Sequence, residues 1–175
     1  MAINIPLILS VLPILILLCA AYGDLRSRTI EHWIVIAMAV TAPLFWWSLH
    51  LPILPDYAWG AHPWLQFASL FDPASVVMIV ALAFATLFFF MLFFVAGWMG
   101  GGDVKLLAAL ALWLMPWELP KMLVIEAIAG VVVTIAAAIH HHGNHKPGKT
   151  EVPRGIAIAF AGIWIIVERY FNQFG

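Results

Sequence analysis

Ile3-Asn4-Ile5-Pro6-Leu7-Ile8-Leu9-Ser10-Val11-Leu12-Pro13-Ile14-Leu15-Ile16-Leu17-Leu18-Cys19-Ala20-Ala21-Tyr22 contains no charged side chain, and Gly23-Asp24-Leu25-Arg26 follows it directly. A helix of about 20 apolar residues crosses the roughly 30 Å hydrocarbon core of a bilayer, so this run reads as a first membrane span. It lacks the basic start of a secretory signal, and it exceeds the roughly 7–15 apolar residues such signals use. Further apolar runs cover about 32–49, 74–98, 104–116, 119–139 and 155–172. The fourth, at about 13 residues, makes only about 20 Å of helix. It must extend into its flanks, tilt, or border a water-filled recess.

Composition agrees with this reading. Of 175 residues, 65% are hydrophobic and 10% charged, against about 25% charged in a soluble domain. A fold this small leaves much of its surface facing solvent, which excludes a soluble globular enzyme. A net charge of −1 provides no basic field for nucleic acid. Cys19 is the only cysteine, so one chain makes neither a disulfide nor a four-thiolate zinc site. The expected protein is all-α and integral to the membrane. It is a single polytopic domain over residues 1–175, built as a six-transmembrane-helix bundle.

Lysine and arginine favour cytoplasmic loops. Arg26, Arg28, Lys105, Lys146, Lys149 and Arg154 fall in or beside the odd-numbered connections, and only Lys121 and Arg169 on the other side. The odd connections are therefore expected in the cytoplasm and both termini outside. The second connection, roughly 50–73, has Asp56 and Asp72 but no basic residue. Trp46, Trp47, Trp59 and Trp64 surround it as interface anchors. Its Pro52, Pro55, Pro63 and Pro73 oppose a regular helix.

With the helices oriented this way, two motifs face the same side. Gly23-Asp24-Leu25-Arg26 follows the first run, and Gly102-Asp103-Val104-Lys105 follows the third. Two nearby carboxylates at a poorly hydrated interface cannot both ionise cheaply, so they share a proton and titrate as a pair. Such a pair holds a water between a base and an acid. One deprotonates the water as it attacks a peptide carbonyl, and the other protonates the departing amine. This chemistry uses no metal and no cofactor. Gly100-Gly101-Gly102 interrupts the helical pattern and allows close backbone approach, so an extended substrate segment is expected against this loop. Taken singly, Asp103 is also a good helix N-cap, and Asp24 a plain helix end. Arg26, Arg28 and Lys105 also serve as topology determinants.

Gly100-Gly101-Gly102-Asp103-Val104-Lys105-Leu106 is similar to the GxGDxK signature of type IV prepilin peptidases, which are membrane-interface aspartic peptidases. Asp24, in Asp24-Leu25-Arg26-Ser27-Arg28-Thr29-Ile30, matches the position of that family's first catalytic aspartate. Val152-Pro153-Arg154-Gly155-Ile156-Ala157 resembles the Pro-x-Gly start of its last helix. The sequence departs from the pattern at Glu31-His32, where the family often has Pro-Asn, and at Arg154, where Tyr is usual. Without paired cysteines or a long cytoplasmic loop, the chain resembles the short branch associated with Flp/Tad-type pili, which lacks the methyltransferase domain. The resemblance implies catalysis by Asp24 and Asp103. Gly100, Gly101, Gly102 and Lys105 would shape the loop or bind substrate. The implied substrate is a prepilin with a short basic leader and a hydrophobic amino-terminal helix, cut at the cytoplasmic face of the bacterial inner membrane. The partners are then this prepilin and the lipid bilayer, with no nucleic acid.

His140-His141-His142-Gly143-Asn144-His145 has metal-binding composition but reads as a solvated loop. Glu126 is an ionisable residue at membrane depth and hence a functional candidate. Counted from the outer end of its run it is expected about 10 Å deep, far from the aspartates, with a structural role reaching towards Lys121 or outer water. Phe84 to Phe94 read as a lipid-facing or packing face. Two other classes compete: an ion-coupled transporter, which needs ionisable groups along a transmembrane path, and a non-catalytic scaffold of pilus assembly.

Overall fold

The computed structural model describes residues 5–53, 72, 73, 75–143 and 154–174. Among the described residues there are six helices and no strand. They are α1 (Ile5–Ser27), α2 (His32–Ser48), α3 (Val76–Val95), α4 (Gly101–Ala111), α5 (Glu118–Gly143) and α6 (Arg154–Phe174). Three segments are long and apolar enough to cross a membrane: Ile8–Ser27, Val76–Val95 and Glu118–Ile139. Their outward faces carry large apolar side chains, among them Leu15 and Leu18 on α1, Phe88 and Leu92 on α3, and Val132 and Ile139 on α5, all more than half exposed. Soluble monomers rarely show such continuous apolar surface; lipid covers it without penalty.

The helix ends differ from the hydrophobic runs for local reasons. Ser75 caps α3, its hydroxyl accepting from the Met78 amide at 3.2 Å. At the other end the Trp98 amide donates to the Phe93 carbonyl and the Gly97 amide to that of Phe94, both at 2.9 Å. Gly97 takes the left-handed φ of +75°, which completes a Schellman stop. The run expected to 98 therefore ends as helix at Val95. In contrast, α1 continues through Gly23 and Asp24 to Ser27. His140, His141 and His142, expected in a loop, continue the backbone of α5. Asn144 and His145 lie outside the described residues, as do Pro55, Trp59, Pro63 and Trp64 of the second connection.

The shortest helix is the most deeply placed. The 11 residues of α4 make about 16 Å at the helical rise, and Leu106, Leu107 and Leu110 have no exposed surface. It packs against α2, α3 and α6, while α6 also packs against α1 and α5. Close crossing depends on Gly162. A Cβ there would stand 2.8 Å from side-chain carbons of both Leu17 on α1 and Leu110 on α4, and small residues are what let membrane helices approach so closely. The expected choice among extension, tilt and recess resolves differently: α4 stays short because its neighbours, rather than lipid, surround it.

Past α4 the chain turns back through Leu112–Trp117 and is locked by polar contacts in an apolar setting. The Trp113 indole donates to the Met38 carbonyl at 2.8 Å, that of Trp46 to the Leu112 carbonyl at 2.7 Å, and Phe45 stacks on Trp113. Arg169 of α6 reaches in above the Phe45 ring. It pairs with Glu118 and donates to the Trp113 carbonyl at 3.0 Å. The Glu118 carboxylate also accepts from the Met115 amide at 2.8 Å.

Breaking a buried pair strands a charge, at a cost of about 3–5 kcal/mol. Glu118→Ala is therefore expected to lower the thermal midpoint in detergent sharply. Lys121→Ala, which removes the exposed Lys121–Glu168 pair of 3.2 Å, should change stability by less than about 1 kcal/mol. Differential scanning fluorimetry of both variants checks the contrast.

Candidate active site

The two Gly-Asp motifs occupy opposite kinds of helix terminus. Asp24 lies in the last turns of α1. Asp103 lies in the first turn of α4, where Gly100 is the N-cap. Asp103 is therefore not itself the cap. It is the third helical residue, and its carboxylate reaches back to the Gly100 amide, the reciprocal half of a capping box. Gly101 and Gly102 are helical as well, so of the expected glycine break only Gly100 stays outside the helix.

What these glycines provide is clearance. A Cβ on Gly102 would lie 3.1 Å from the Ile30 side chain, and one on Gly101 would lie 3.2 Å from the Phe94 ring. Ile30 belongs to the short link after α1, so the close contact at Gly102 seats the start of α4 directly on the chain leaving Asp24. The Arg28 amide donates to the Asp24 carbonyl at 3.0 Å, and Arg28 takes a left-handed φ of 53°, which turns that link inward.

The third contributor is the start of α6. Gly155 donates its amide to Asp24 Oδ2 at 2.7 Å, across 131 positions of sequence. A Cβ at Gly155 would stand 2.9 Å from that oxygen and 3.0 Å from Cγ, so only glycine allows the approach. Asp24 is 5% exposed, and its polar environment is supplied by the amides of Gly155 and Ile156 and by Arg28.

Burial pushes the Asp103 carboxyl up to about 6, helped by the Asp24 carboxylate and, more weakly, by that of Glu126; Arg154 and the Gly100 amide pull the other way. The Asp24 carboxylate is thus near enough to Asp103 to disfavour its ionised form. Lys105 is not part of this group. Its exposed side chain borders a separate apolar groove of about 240 Å³ beside Val35, Phe84 and Leu87.

Glu126 does join it, contrary to the expectation from sequence. Lys121 pairs with Glu168 instead, and Glu126 lines a cavity of about 320 Å³ together with Phe90, Phe93, Met99 and Arg154. The reason is the length of α4. Because α4 rises only about 16 Å, the eight residues from Glu118 to Glu126 on the returning α5 bring Glu126 to the neighbourhood of Asp103. Arg154 and Gly155 were legible only as a motif at the start of the last helix; their place beside the aspartates is a tertiary fact. Among the described residues, no group of three His, Cys, Asp or Glu side chains is arranged to hold a metal ion.

The family model described as the type IV leader peptidase family matches residues 11–135 of the chain. No curated protein matches, and no solved structure does.

Gly155→Ala places a methyl group against the Asp24 carboxylate. The variant should still insert and accumulate while its peptidase turnover falls at least about tenfold, since a misplacement of an ångström costs on the order of a hundredfold. Peptidase assays normalised to folded protein test this.

Proposed function

Because the chain belongs to the type IV leader peptidase family, we propose that it is an aspartic endopeptidase that removes the short basic leader from prepilins of the Flp type. The reading puts the six helices across the bacterial inner membrane, both termini outside, and the reaction at the cytoplasmic face. The excess of Lys and Arg in the odd-numbered connections supports that orientation. A leader held in the cytoplasm by its positive charge then meets the site from the correct side.

In this mechanism Asp24 and Asp103 hold one proton and one water between them. The ionised carboxylate takes a proton from the water as its oxygen bonds to the scissile carbonyl carbon. The protonated partner gives its proton to the amide nitrogen as the C–N bond breaks, leaving a carboxylic acid on the leader and an amine on the mature pilin. The observation that supports the reading is the packing around the two motifs: Gly102, next to Asp103, seats on Ile30 of the link that follows Asp24, and Gly155 donates to the Asp24 carboxylate.

Co-expression with a prepilin bearing a basic leader and an apolar amino-terminal helix tests the proposal. Mass spectrometry should show the shortened pilin with the wild type and the uncut form with Asp24→Asn or Asp103→Asn. A pilin cut normally by either variant rejects the mechanism, and one left uncut by the wild type favours a scaffold.

The pair works only while it keeps one proton. Cleavage in detergent is accordingly expected to fall as pH rises through the ionisation of Asp103, about 6, and a rate–pH profile reads this limb directly.

A further inference from the structure

Outside the aspartates, a carboxylate and a guanidinium share an otherwise apolar cavity between α3 and α5. Helix α3 packs on α4 and α5 packs on α6, and the cavity of about 320 Å³ lies between these two pairs. Phe90 and Phe93 form one wall and Val131 and Ile135 the other, while Glu126 and Arg154 bring a carboxylate and a guanidinium into it. Its floor adjoins the catalytic groups through the backbone. Met99 precedes Gly100, whose amide serves Asp103, and Arg154 precedes Gly155, whose amide serves Asp24.

A lone guanidinium there would work against the chemistry. A cation beside a carboxyl group favours its ionised form, so Arg154 acting alone would drive Asp103 towards its ionised form beside the Asp24 carboxylate. No acid would then remain for the leaving amine. Resting on the aspartic peptidase reading, we propose that Glu126 is a positioning residue for the pair: its carboxylate shares the cavity with Arg154 and offsets the guanidinium charge, so that the aspartates retain their common proton.

The charged groups facing this point come from four places. They are Asp24 on α1, Arg28 just after it, Glu126 on α5 and Arg154 on α6; Asp103 itself starts α4. Arg154 acts on both Asp103 and Glu126, and it lines the same cavity as Glu126. The same arrangement explains why an ionisable residue is kept at this depth of α5, where desolvation is otherwise costly.

Opposite-signed effects make the test. Full-length protein in detergent is assayed on the prepilin described above, and the alkaline limb of the rate–pH profile is located. E126Q removes a carboxylate that favours the protonated form, so the limb should move to lower pH by about 0.5–1 pH unit. R154Q removes the opposing cation and should move it higher by a similar amount. The double variant should return towards the wild-type limb, and the charge-retaining E126D and R154K should leave it in place.

Limbs that stay fixed in both glutamine variants, or that move in the same direction, overturn the proposal, because a purely structural role lowers the rate without this sign reversal. Infrared titration of the protonated carboxyl band, assigned by its loss in Asp103→Asn, reads the same shifts without turnover. That band should move with E126Q and R154Q whether or not the prepilin is cut. A failed peptidase reading thereby remains distinguishable from a failed role for Glu126.

Discussion

The shortness of α4 governs the rest of the molecule. In a chain whose other helices run 17 to 26 residues, an 11-residue helix that starts level with the end of α1 and the start of α6 stops short of the length its neighbours span. It survives because protein replaces lipid around it: Leu106, Leu107 and Leu110 face neighbouring helices, and the carbonyls of Leu112 and Trp113 just beyond it accept from Trp46 and Arg169. Irregular backbone at membrane depth is tolerated only under such cover. The same cover partly desolvates Asp103 at the start of α4. Its electrostatics follow from that location before any specific partner is considered.

Glycine does the complementary work of letting charged groups approach one another. At Gly102 and Gly155 the backbone is not in a conformation that only glycine adopts; the missing side chain is what counts. One clearance seats α4 on the link after α1, and the other allows the amide of α6 to reach Asp24. Three elements remote in sequence converge because two positions lack a Cβ. Gly97 is the exception, where a left-handed φ is required to stop α3.

The hydrophobic runs were legible because lipid leaves so little choice: a segment near 20 apolar residues has to be a helix, and five of the six helices lie close to their runs. The helix ends were less so, since apolar character continues past Gly97 while polar residues continue inside α1 as far as Ser27. Both aspartates and the glycines before Asp103 stood out by motif, although their geometry did not. Asp103 follows the cap instead of forming it, and Lys105 turns away to another groove. Glu126 was misplaced for a definite reason: depth counted from one end of a helix locates a residue relative to the bilayer, but its neighbours depend on how long the adjacent helix is. Nothing in the sequence of α5 records that α4 is short.

The distribution of charge bears on what kind of protein this is. The ionisable residues within the bundle form two groups. Asp24, Asp103, Arg154 and Glu126 gather around the starts of α4 and α6, and Glu118 with Arg169 seals the turn between α4 and α5. Between them lie the fully buried leucines of α4 together with Leu17 and Met38, and the polar side chains described in that interval, Thr41 and Thr86, donate to carbonyls of their own helices. A conducting path needs polar groups or water in succession across the membrane. A hydrolytic site needs the opposite arrangement: a few charges concentrated at one level, where a dry core behind them strengthens every interaction. The second arrangement is the one these residues make, and it favours a local reaction over transport.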